Sequence, residues 1–442
     1  MSDETDPAAT QIPSMHRRRF LKVAGIGAGV TLGAAGWLRD TSGSGSNNDA
    51  AATSDSTLAA RDTRPATAAP AGNAKGKAGT RRLVVVELDG GNDGMSMLVP
   101  AGLGRYRDLR PRTAIADDQL IELDGAYGLH KNLGRLHKRG LAMVQGVGSM
   151  EPDGSHFAMM QRWWAGDAVG GAALRGGFFG RLADQLGDPA AAAVGVSIGS
   201  GSHPALASER VTTMSLPSPD AAGYLFGASP DDVTRSMFQR EFLAMMQEGD
   251  LTQLTAARRA GASAVAFART LTALGEAKGD YPGSNLGNGL RLAASLLAAD
   301  PNVRIVHVPA GLDFDTHEDH LGRHPALLDD MDASIDALLA DLDDRGMGDD
   351  VLVMTISEFG RTAKDNGSNG LDHGTASVAM LAGPVKAGLY GEPSSLDKLS
   401  DNDQLVATMG LDQYYATIAE KWFDVPASEV LPGSPKAVDL GL

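Results

Sequence analysis

The 442-residue chain contains no cysteine. This absence excludes a disulfide framework, a thiolate metal site, a cysteine nucleophile and a lipid anchor on cysteine. Aromatic residues make up only 5% of the chain, so few side chains could serve as stacking platforms for bases. Basic residues are also in deficit, with 39 Lys and Arg against 55 Asp and Glu and a formal net charge of −16. Because phosphate backbones are bound by clustered Lys and Arg, we expect no nucleic-acid partner.

The first 38 residues have the pattern of an export signal. The sequence HRRRFLK at residues 16–22 is followed by an uncharged, largely apolar run that ends at Leu38. The adjacent Arg17 and Arg18 resemble the twin-arginine motif, which a receptor reads as an address. The apolar run is shorter than the about 20 residues that span a bilayer, so we expect no stable transmembrane span after processing. These features predict the twin-arginine translocase as a partner during export and a periplasmic or extracellular location.

Residues 39–80 are predicted to be a disordered linker, and residues 81–442 one large domain. The linker consists mainly of Ala, Ser, Thr, Gly, Pro and scattered charges, and Leu58 is its one large apolar residue. Such a segment cannot bury enough surface to offset the entropy cost of ordering it. No second linker of this composition divides the remainder, so we expect the remainder to fold as one unit.

The predicted domain alternates helical patterns with short apolar runs. Four runs are typical of buried parallel strands: residues 83–86, 141–147, 303–308 and 351–356. The last three each follow a helix-like segment, and a longer helical stretch is predicted over residues 237–274. This alternation predicts an α/β fold with a large, mainly parallel sheet flanked by helices.

Polar side chains follow each of the four predicted strands. Because the carboxyl ends of parallel strands meet at one edge of a sheet, these side chains are expected to line one site. Carboxylates this close repel one another unless a cation lies among them, and oxygen and imidazole ligands without thiolate favour Zn, Mn, Mg or Ca. The candidates are Asp89, Asp93, Ser96, His156, Asp313, Asp315, His317, Glu358, Arg361, Asp372 and His373.

Each candidate also has a structural interpretation. A single Asp after a strand is often a turn or capping residue, and a single His is often a buried structural residue. His317, His320 and His324 would share one helix face. Gly322 and Pro325 are expected to break a regular helix there, so only His317 of the three is predicted as a ligand.

Five short motifs follow one another in the predicted domain: LDGGNDG at 88–94, SHF at 155–157, DTH at 315–317, SEFGRT at 357–362 and DHGTAS at 372–377. Together they resemble the exported bacterial proteins of domain-of-unknown-function family 1501, and the resemblance covers nearly all of residues 81–442. That family looks like a branch of the alkaline phosphatase and sulfatase superfamily. The resemblance therefore implies an alkaline phosphatase-like fold with metals bound at the strand ends.

The superfamily pattern implies ligand roles after the first and third strands. It implies a metal-binding Asp at Asp89, with Asp93 as a substitute. It also implies an Asp-x-x-x-His pair after the third strand. Asp313 and His317 have this spacing, and Asp315, which lies between them, is a further candidate.

This sequence departs from the superfamily pattern at two places, after the fourth predicted strand and at the nucleophile. Glu358 stands where an Asp-His pair is expected, and His373, preceded by Asp372, matches the last histidine. Ser96 is the nearby hydroxyl that could replace the superfamily's nucleophile. These departures leave one metal ion, or none, as alternatives to a two-metal site.

The activity implied by the resemblance is metal-assisted hydrolysis of a phosphate or sulfate ester. A metal ion would lower the pKa of Ser96 or of water, and Arg361 would hold an oxygen of the transferred group. An ion pair with a carboxylate is the alternative for Arg361. His156 is interpreted as a ligand, a proton donor or a buried structural residue.

Two other functions fit the sequence. A catalytically degenerate superfamily member would act as a binding protein at the cell surface or in the periplasm, which the missing Asp-His pair and the uncertain nucleophile favour. Residues 195–199 match the G-x-S-x-G pattern of serine hydrolases, which requires a strand before the serine and a helix after it. The following GSGSHPAL does not predict an immediate helix.

Replacing Arg17 and Arg18 by Lys should block export, because the receptor reads the arginine pair. Fractionation of cells that express the full chain measures this. Unchanged export of the double variant would contradict the assignment.

Overall fold

The structure is a computed structural model that describes residues 80–123, 125–199, 201–217, 255–272, 274–275, 277–400 and 402–442. The predicted signal peptide over residues 1–38 lies outside these residues, as does the predicted linker up to residue 79. The predicted helical stretch over 237–274 is described only from residue 255.

A nine-stranded sheet forms the centre of the described part of the chain. Numbered along the chain, the strands are β1 (Arg82–Glu87), β2 (Leu98–Val99), β3 (Leu120–Glu122), β4 (Gly128–His130), β5 (Leu141–Gly148), β6 (Gly195–Ser197), β7 (Thr213–Ser215), β8 (Ile305–Pro309), β9 (Val351–Ile356), β10 (Arg361–Asp365), β11 (Leu371–His373), β12 (Ser377–Ala382), β13 (Gly388–Tyr390) and β14 (Met409–Gly410). The order across the sheet is β13-β5-β12-β9-β1-β8-β6-β7, and β14 also pairs with β5.

Every neighbouring pair in this sheet is parallel except those made by β12, which is antiparallel to β5 and to β9. The four predicted strands correspond to β1, β5, β8 and β9, which confirms the predicted α/β fold with a mainly parallel sheet. Two small antiparallel groups, β10-β11 and β2-β4-β3, lie outside the main sheet.

Both faces of the main sheet are buried, which explains why its strands are continuous apolar runs. Along β1, Val84 and Val86 belong to one core cluster, and Leu83 and Val85 belong to the other. The helices are α1 (Gly94–Met97), α2 (Gly104–Leu109), α3 (Gly134–Arg139), α4 (His156–Ala165), α5 (Phe178–Leu186), α6 (Thr255–Thr272), α7 (Asn285–Ala299), α8 (His320–Asp344), α9 (Leu411–Thr417) and α10 (Ala427–Val430).

The helices cover the sheet on its two sides. Apolar residues of α7 and α8 fill the first cluster, whereas those of α4, α5 and α9 fill the second. In the part of the chain that the structure describes, no helix has an apolar stretch long enough to cross a bilayer.

Helix α8 corrects one prediction. It begins at His320 and continues through Gly322 and Pro325, where a break was expected. Pro325 is the sixth residue of the helix, and its missing N–H removes one internal hydrogen bond close to the amino end, where the first four N–H groups already have no partner within the helix. The carbonyl of Pro325 also accepts a hydrogen bond from Asn132 Nδ2 at 2.7 Å.

A buried ion pair joins the loop after β1 to β10. Arg110 Nη1 lies 2.6 Å from Asp93 Oδ2, and Nη2 lies 2.9 Å from Oδ1. The same guanidinium donates to the carbonyls of Thr362 at 2.9 Å and Ala363 at 3.1 Å. Both charged side chains are at most 2% exposed, so neither can exchange its partner for water.

Replacing Arg110 by Met should lower the free energy of unfolding by about 3–5 kcal/mol, since it leaves the buried Asp93 charge without its arginine and with only His320 Nε2 nearby, at 3.4 Å. Arg107→Met is the matched control on the same segment. Arg107 pairs with Asp117 at the surface, so its loss should cost less than about 1 kcal/mol. Urea denaturation measures both values, and equal losses in the two variants would contradict the prediction.

Candidate metal centre

Six of the predicted site residues meet beyond the carboxyl ends of β1, β5, β8 and β9. Asp315 and His317 follow β8, Glu358 follows β9, and Asp372 and His373 end β11. The sixth is His156, the first residue of α4, which follows β5.

Asp315, His317 and His373 form a small triangle of ligand atoms. Nε2 of His317 lies 2.9 Å from Nε2 of His373. Asp315 Oδ1 lies 3.1 Å from the first nitrogen and 3.3 Å from the second. Metal bonds of about 2.0–2.2 Å place neighbouring ligand atoms about 3.0–3.5 Å apart, close to these separations. His156 Nε2 lies 3.8 Å from Oδ2, the second oxygen of the Asp315 carboxylate.

The hydrogen bonds at Nδ1 fix the tautomer of all three histidines. A carbonyl or a carboxylate can only accept, so each neutral ring carries its proton on Nδ1 and directs the Nε2 lone pair towards Asp315. These bonds join His373 to Gly154 O at 2.9 Å, His317 to Asp372 Oδ1 at 3.0 Å, and His156 to Glu358 Oε1 at 2.8 Å. The donor set therefore fits a divalent cation.

Asp372 and Glu358 each accept a hydrogen bond from a histidine of the site, and each also accepts a second hydrogen bond that fixes its own position. Asp372 Oδ1 accepts a hydrogen bond from Asn366 Nδ2 at 2.9 Å. That bond, together with the one from His317, outweighs partial burial and lowers the pKa of Asp372. Glu358 Oε1 accepts a hydrogen bond from the Gly90 N–H at 2.9 Å. Such outer partners fix the orientation of metal-binding rings.

Arg361 is buried next to Asp315, and its contacts differ from those predicted. Its side chain is 0% exposed, and Nη2 lies 2.5 Å from Asp315 Oδ1. The guanidinium also donates to backbone carbonyls: Nε to Gly91 O at 2.7 Å, Nη1 to Leu371 O at 3.2 Å, and Nη2 to Gly90 O and to Phe314 O. The predicted clamp on a substrate oxygen is wrong, because the buried guanidinium is committed to protein acceptors. The alternative, an ion pair with a carboxylate, is what the structure contains.

The Arg361 ion pair sets the charge state of Asp315. Burial opposes ionisation of this carboxyl, but the hydrogen bond and charge of Arg361 outweigh it and lower the pKa of Asp315. Burial lowers the pKa of His373, and the charge of Arg361 adds to the effect. The aspartate is therefore ionised, and this imidazole is neutral, at neutral pH.

Asp313 is not part of the group. Its side chain is exposed, and Oδ2 lies 2.7 Å from Arg323 Nη2. Oδ1 accepts the backbone N–H of Asp315 at 3.1 Å, so Asp313 shapes the turn that carries Asp315. The predicted Asp313 ligand is therefore wrong, and the turn interpretation of a strand-end Asp applies.

Ser96 and Asp93 are separated from solvent. Ser96 is 0% exposed, and Oγ lies 2.9 Å from His320 Nε2. Asp93 forms the ion pair with Arg110 described above. The predictions of Ser96 as a nucleophile and of Asp93 as a substitute ligand are wrong for this structure, because neither side chain can reach a bound molecule.

Asp89 is half-buried between two acidic groups. Burial, followed by the charges of Glu87 and Glu358, raises its pKa to about 7, while a backbone hydrogen bond from Gly311 opposes the shift. Because the charge of Glu358 acts on it, Asp89 lies next to the metal centre.

A second polar cluster, which the sequence analysis missed, lies at the ends of β1 and β8. Glu87 Oε2 lies 2.6 Å from His307 Nε2 and 3.2 Å from His203 Nε2. Hydrogen bonds from these rings outweigh burial and lower the pKa of Glu87. Glu87 and His307 are polar residues within two otherwise apolar strands, and this pattern is the sequence signal that could have predicted the cluster.

The serine-hydrolase pattern is not formed. Ser197 is the last residue of β6, is 1% exposed, and lies 3.2 Å from His307 Nδ1 through Oγ. The next described helical element is a 3₁₀ turn at Pro204–Leu206. The strand-to-helix turn that exposes a nucleophile is therefore missing from the described residues that follow Ser197.

The chain belongs to the domain-of-unknown-function family 1501, described as a protein of unknown function, whose family model matches residues 139–412. This match confirms the resemblance seen in the motifs. No curated protein sequence matches the chain.

Solved structures to which the chain is similar include sulfatases, a lipoteichoic acid synthase and an alkaline phosphatase. The PsFucS1 sulfatase from Pseudoalteromonas sp. has a TM-score of 0.38 and 12% identity, over 82% of this chain and 72% of that one. The lipoteichoic acid synthase LtaP from Listeria monocytogenes has a TM-score of 0.35 and 10% identity, over 82% and 75%. The alkaline phosphatase from the Antarctic bacterium TAB5 has a TM-score of 0.31 and 13% identity, over 70% and 95%.

Buried histidines behind the site should make the protein sensitive to acid. Burial lowers the pKa of His130 to about 4, and burial also lowers the pKa of His320 and of His324. The unfolded chain binds these protons near pH 6.5, whereas the folded chain does not. Their contribution to stability is therefore complete above pH 6.5 and is lost as the pH falls towards 4.

The variant His130→Asn isolates one of these groups, because its amide oxygen can replace the Nδ1 acceptor for the Asn132 N–H. Between pH 6 and pH 4.5, roughly, its free energy of unfolding should fall less steeply than that of the wild type, by up to about 1.4 kcal/mol per pH unit. The opposing protonation of Asp89 cancels in the difference. His137→Asn, at an exposed position in α3, is the control, and parallel pH profiles for wild type and His130→Asn would refute the prediction.

Proposed function

We propose that this protein is an exported, metal-dependent hydrolase that acts on an anionic phosphate or sulfate ester. One observation carries the metal-dependent part of the proposal: His156, His317 and His373 direct Nε2 lone pairs towards the ionised Asp315. Lone pairs gathered in this way repel one another unless a cation lies among them. Imidazole and carboxylate together favour Zn²⁺ or Mn²⁺ over the oxygen-preferring Mg²⁺ and Ca²⁺.

The residues of the site have separate tasks. His317, His373 and Asp315 would hold the ion, with His156 as a further ligand. Asp372 and Glu358 fix the rings, and Arg361 fixes the carboxylate of Asp315. A divalent ion bound there would supply Lewis acidity at the transferred group and lower the pKa of nearby water.

Water is the proposed nucleophile, because Ser96 is buried. The ester substrate class rests on the motif resemblance to the alkaline phosphatase and sulfatase superfamily. An anionic ester would bind there only with the metal ion in place, because the protein charges around the site are mainly negative and would otherwise repel it. The twin-arginine-like motif supports action in the periplasm or outside the cell.

A second function is favoured by one observation. Among the described residues, the predicted nucleophile Ser96 is wholly buried. A catalytically degenerate member of the superfamily, which binds a ligand through the metal ion without turnover, would need no nucleophile. Metal binding is common to both functions, and turnover separates them.

The wild-type protein should bind zinc or manganese, and the variants His317→Ala and His373→Ala should bind it more than about 100-fold more weakly, since even supporting residues contribute about 10–100-fold. His137→Ala, a change at an exposed histidine of α3 outside the ligand group, should bind as the wild type does. Isothermal titration of the metal-free protein measures the affinities.

The metal-loaded protein should hydrolyse p-nitrophenyl phosphate or p-nitrophenyl sulfate, and His317→Ala should not. Metal binding without hydrolysis of either ester would favour the binding protein. Failure of the wild type to bind either metal ion would overturn the proposal.

A further inference from the structure

The second polar cluster looks at first like a second metal site. Glu87, His203 and His307 each offer a ligand atom, and these atoms lie within 4.8 Å of one another. We call these three residues the anchor cluster. Its hydrogen bonds differ from those of the candidate metal centre in one respect that decides its chemistry.

The anchor cluster has the opposite tautomers. The backbone N–H of Ala205 points at His203 Nδ1 at 3.3 Å, and because an N–H can only donate, the ring proton lies on Nε2. His307 Nδ1 faces the hydroxyl of Ser197, which donates when Nε2 carries the ring proton. Both Nε2–H groups then donate to Glu87 Oε2. No imidazole lone pair is directed at Glu87, so the cluster is satisfied without a cation.

The other oxygen of Glu87 binds helix α4. Trp164 Nε1 donates to Glu87 Oε1 at 2.8 Å. The preceding residue, Trp163, donates from Nε1 to the carbonyl of Glu358 at 2.9 Å. Two consecutive indoles therefore join α4 to the ends of β1 and β9, and α4 begins with His156.

We propose that the anchor cluster binds no metal ion and instead positions His156 at the metal centre through Trp164. This inference rests on the proposed function and specifies which parts of the chain build its site. His156 is the ligand with the longest approach to Asp315, at 3.8 Å, so its place depends most on how α4 is held. Trp164 is accordingly a positioning residue.

The variant Trp164→Phe removes the indole N–H and keeps an aromatic ring against His203, which packs at 5.1 Å between ring centroids. The full chain, freed of metal and titrated with Co²⁺, should take up one ion per chain. In the variant the Co²⁺ affinity should fall about 10-fold, within the range for residues that orient ligands, and the visible absorption spectrum should change as the His156 ligand is lost.

Trp422→Phe is the matched control, since Trp422 Nε1 donates to the carbonyl of Arg82, away from α4. It should leave the affinity and the spectrum as in the wild type. Circular dichroism checks that both variants are folded. A Trp164→Phe variant with wild-type affinity and spectrum would overturn the positioning role, whereas a wild type that takes up no Co²⁺ would overturn the proposed function and the positioning role together.

Nitrogen-15 NMR of the histidine rings tests the anchor cluster without metal. At neutral pH, His203 and His307 should be Nε2–H tautomers, and His156, His317 and His373 should be Nδ1–H tautomers. Added Zn²⁺ should shift only the second group. A stoichiometry of two ions that falls to one in Glu87→Gln, with ligand shifts at His203 and His307, would show that the anchor cluster is a metal site.

Discussion

The site depends on one electrostatic constraint: three imidazole lone pairs and one ionised carboxylate converge on a space that suits a cation. The constraint is created by acceptors behind the rings. Each ring donates a hydrogen bond from its Nδ1–H to one of these acceptors, which are Gly154 O, Asp372 and Glu358. The Nε2 atoms therefore carry no proton that could be donated to Asp315. The lone pairs are thus set by outer residues from the β5–α4 loop, from β11 and from the end of β9.

The fold brings these outer residues together because parallel strands end at one edge. Arg361 strengthens the arrangement from below, where it binds the carbonyls of the loop after β1 as well as the carboxylate of Asp315. Gly90 makes this approach feasible. Its φ is +105°, and a β-carbon there would lie 2.5 Å from the backbone nitrogen of Asp315, so a larger residue would separate the two loops.

Much of this could be predicted from the sequence, and the exceptions have physical causes. Strands such as β9 were predictable because burial on both faces leaves an uninterrupted apolar run. Which of Asp313 and Asp315 faces the metal centre could not be predicted, since the direction of each side chain depends on the turn between them. The burial of Ser96 was hidden because α1 packs tightly under β12, where a β-carbon on Gly94 would lie 2.4 Å from the Val378 nitrogen. The tautomers that separate the two histidine clusters depend on contacts distant in sequence.

X-ray absorption spectroscopy of the zinc-loaded protein tests the central claim most directly, because it reports the atoms around the ion. The account predicts one first shell at about 2.0–2.1 Å with at least two imidazoles, recognised by their outer-shell scattering, and with oxygen completing the shell. A shell of oxygen atoms alone, without imidazole scattering, would contradict it.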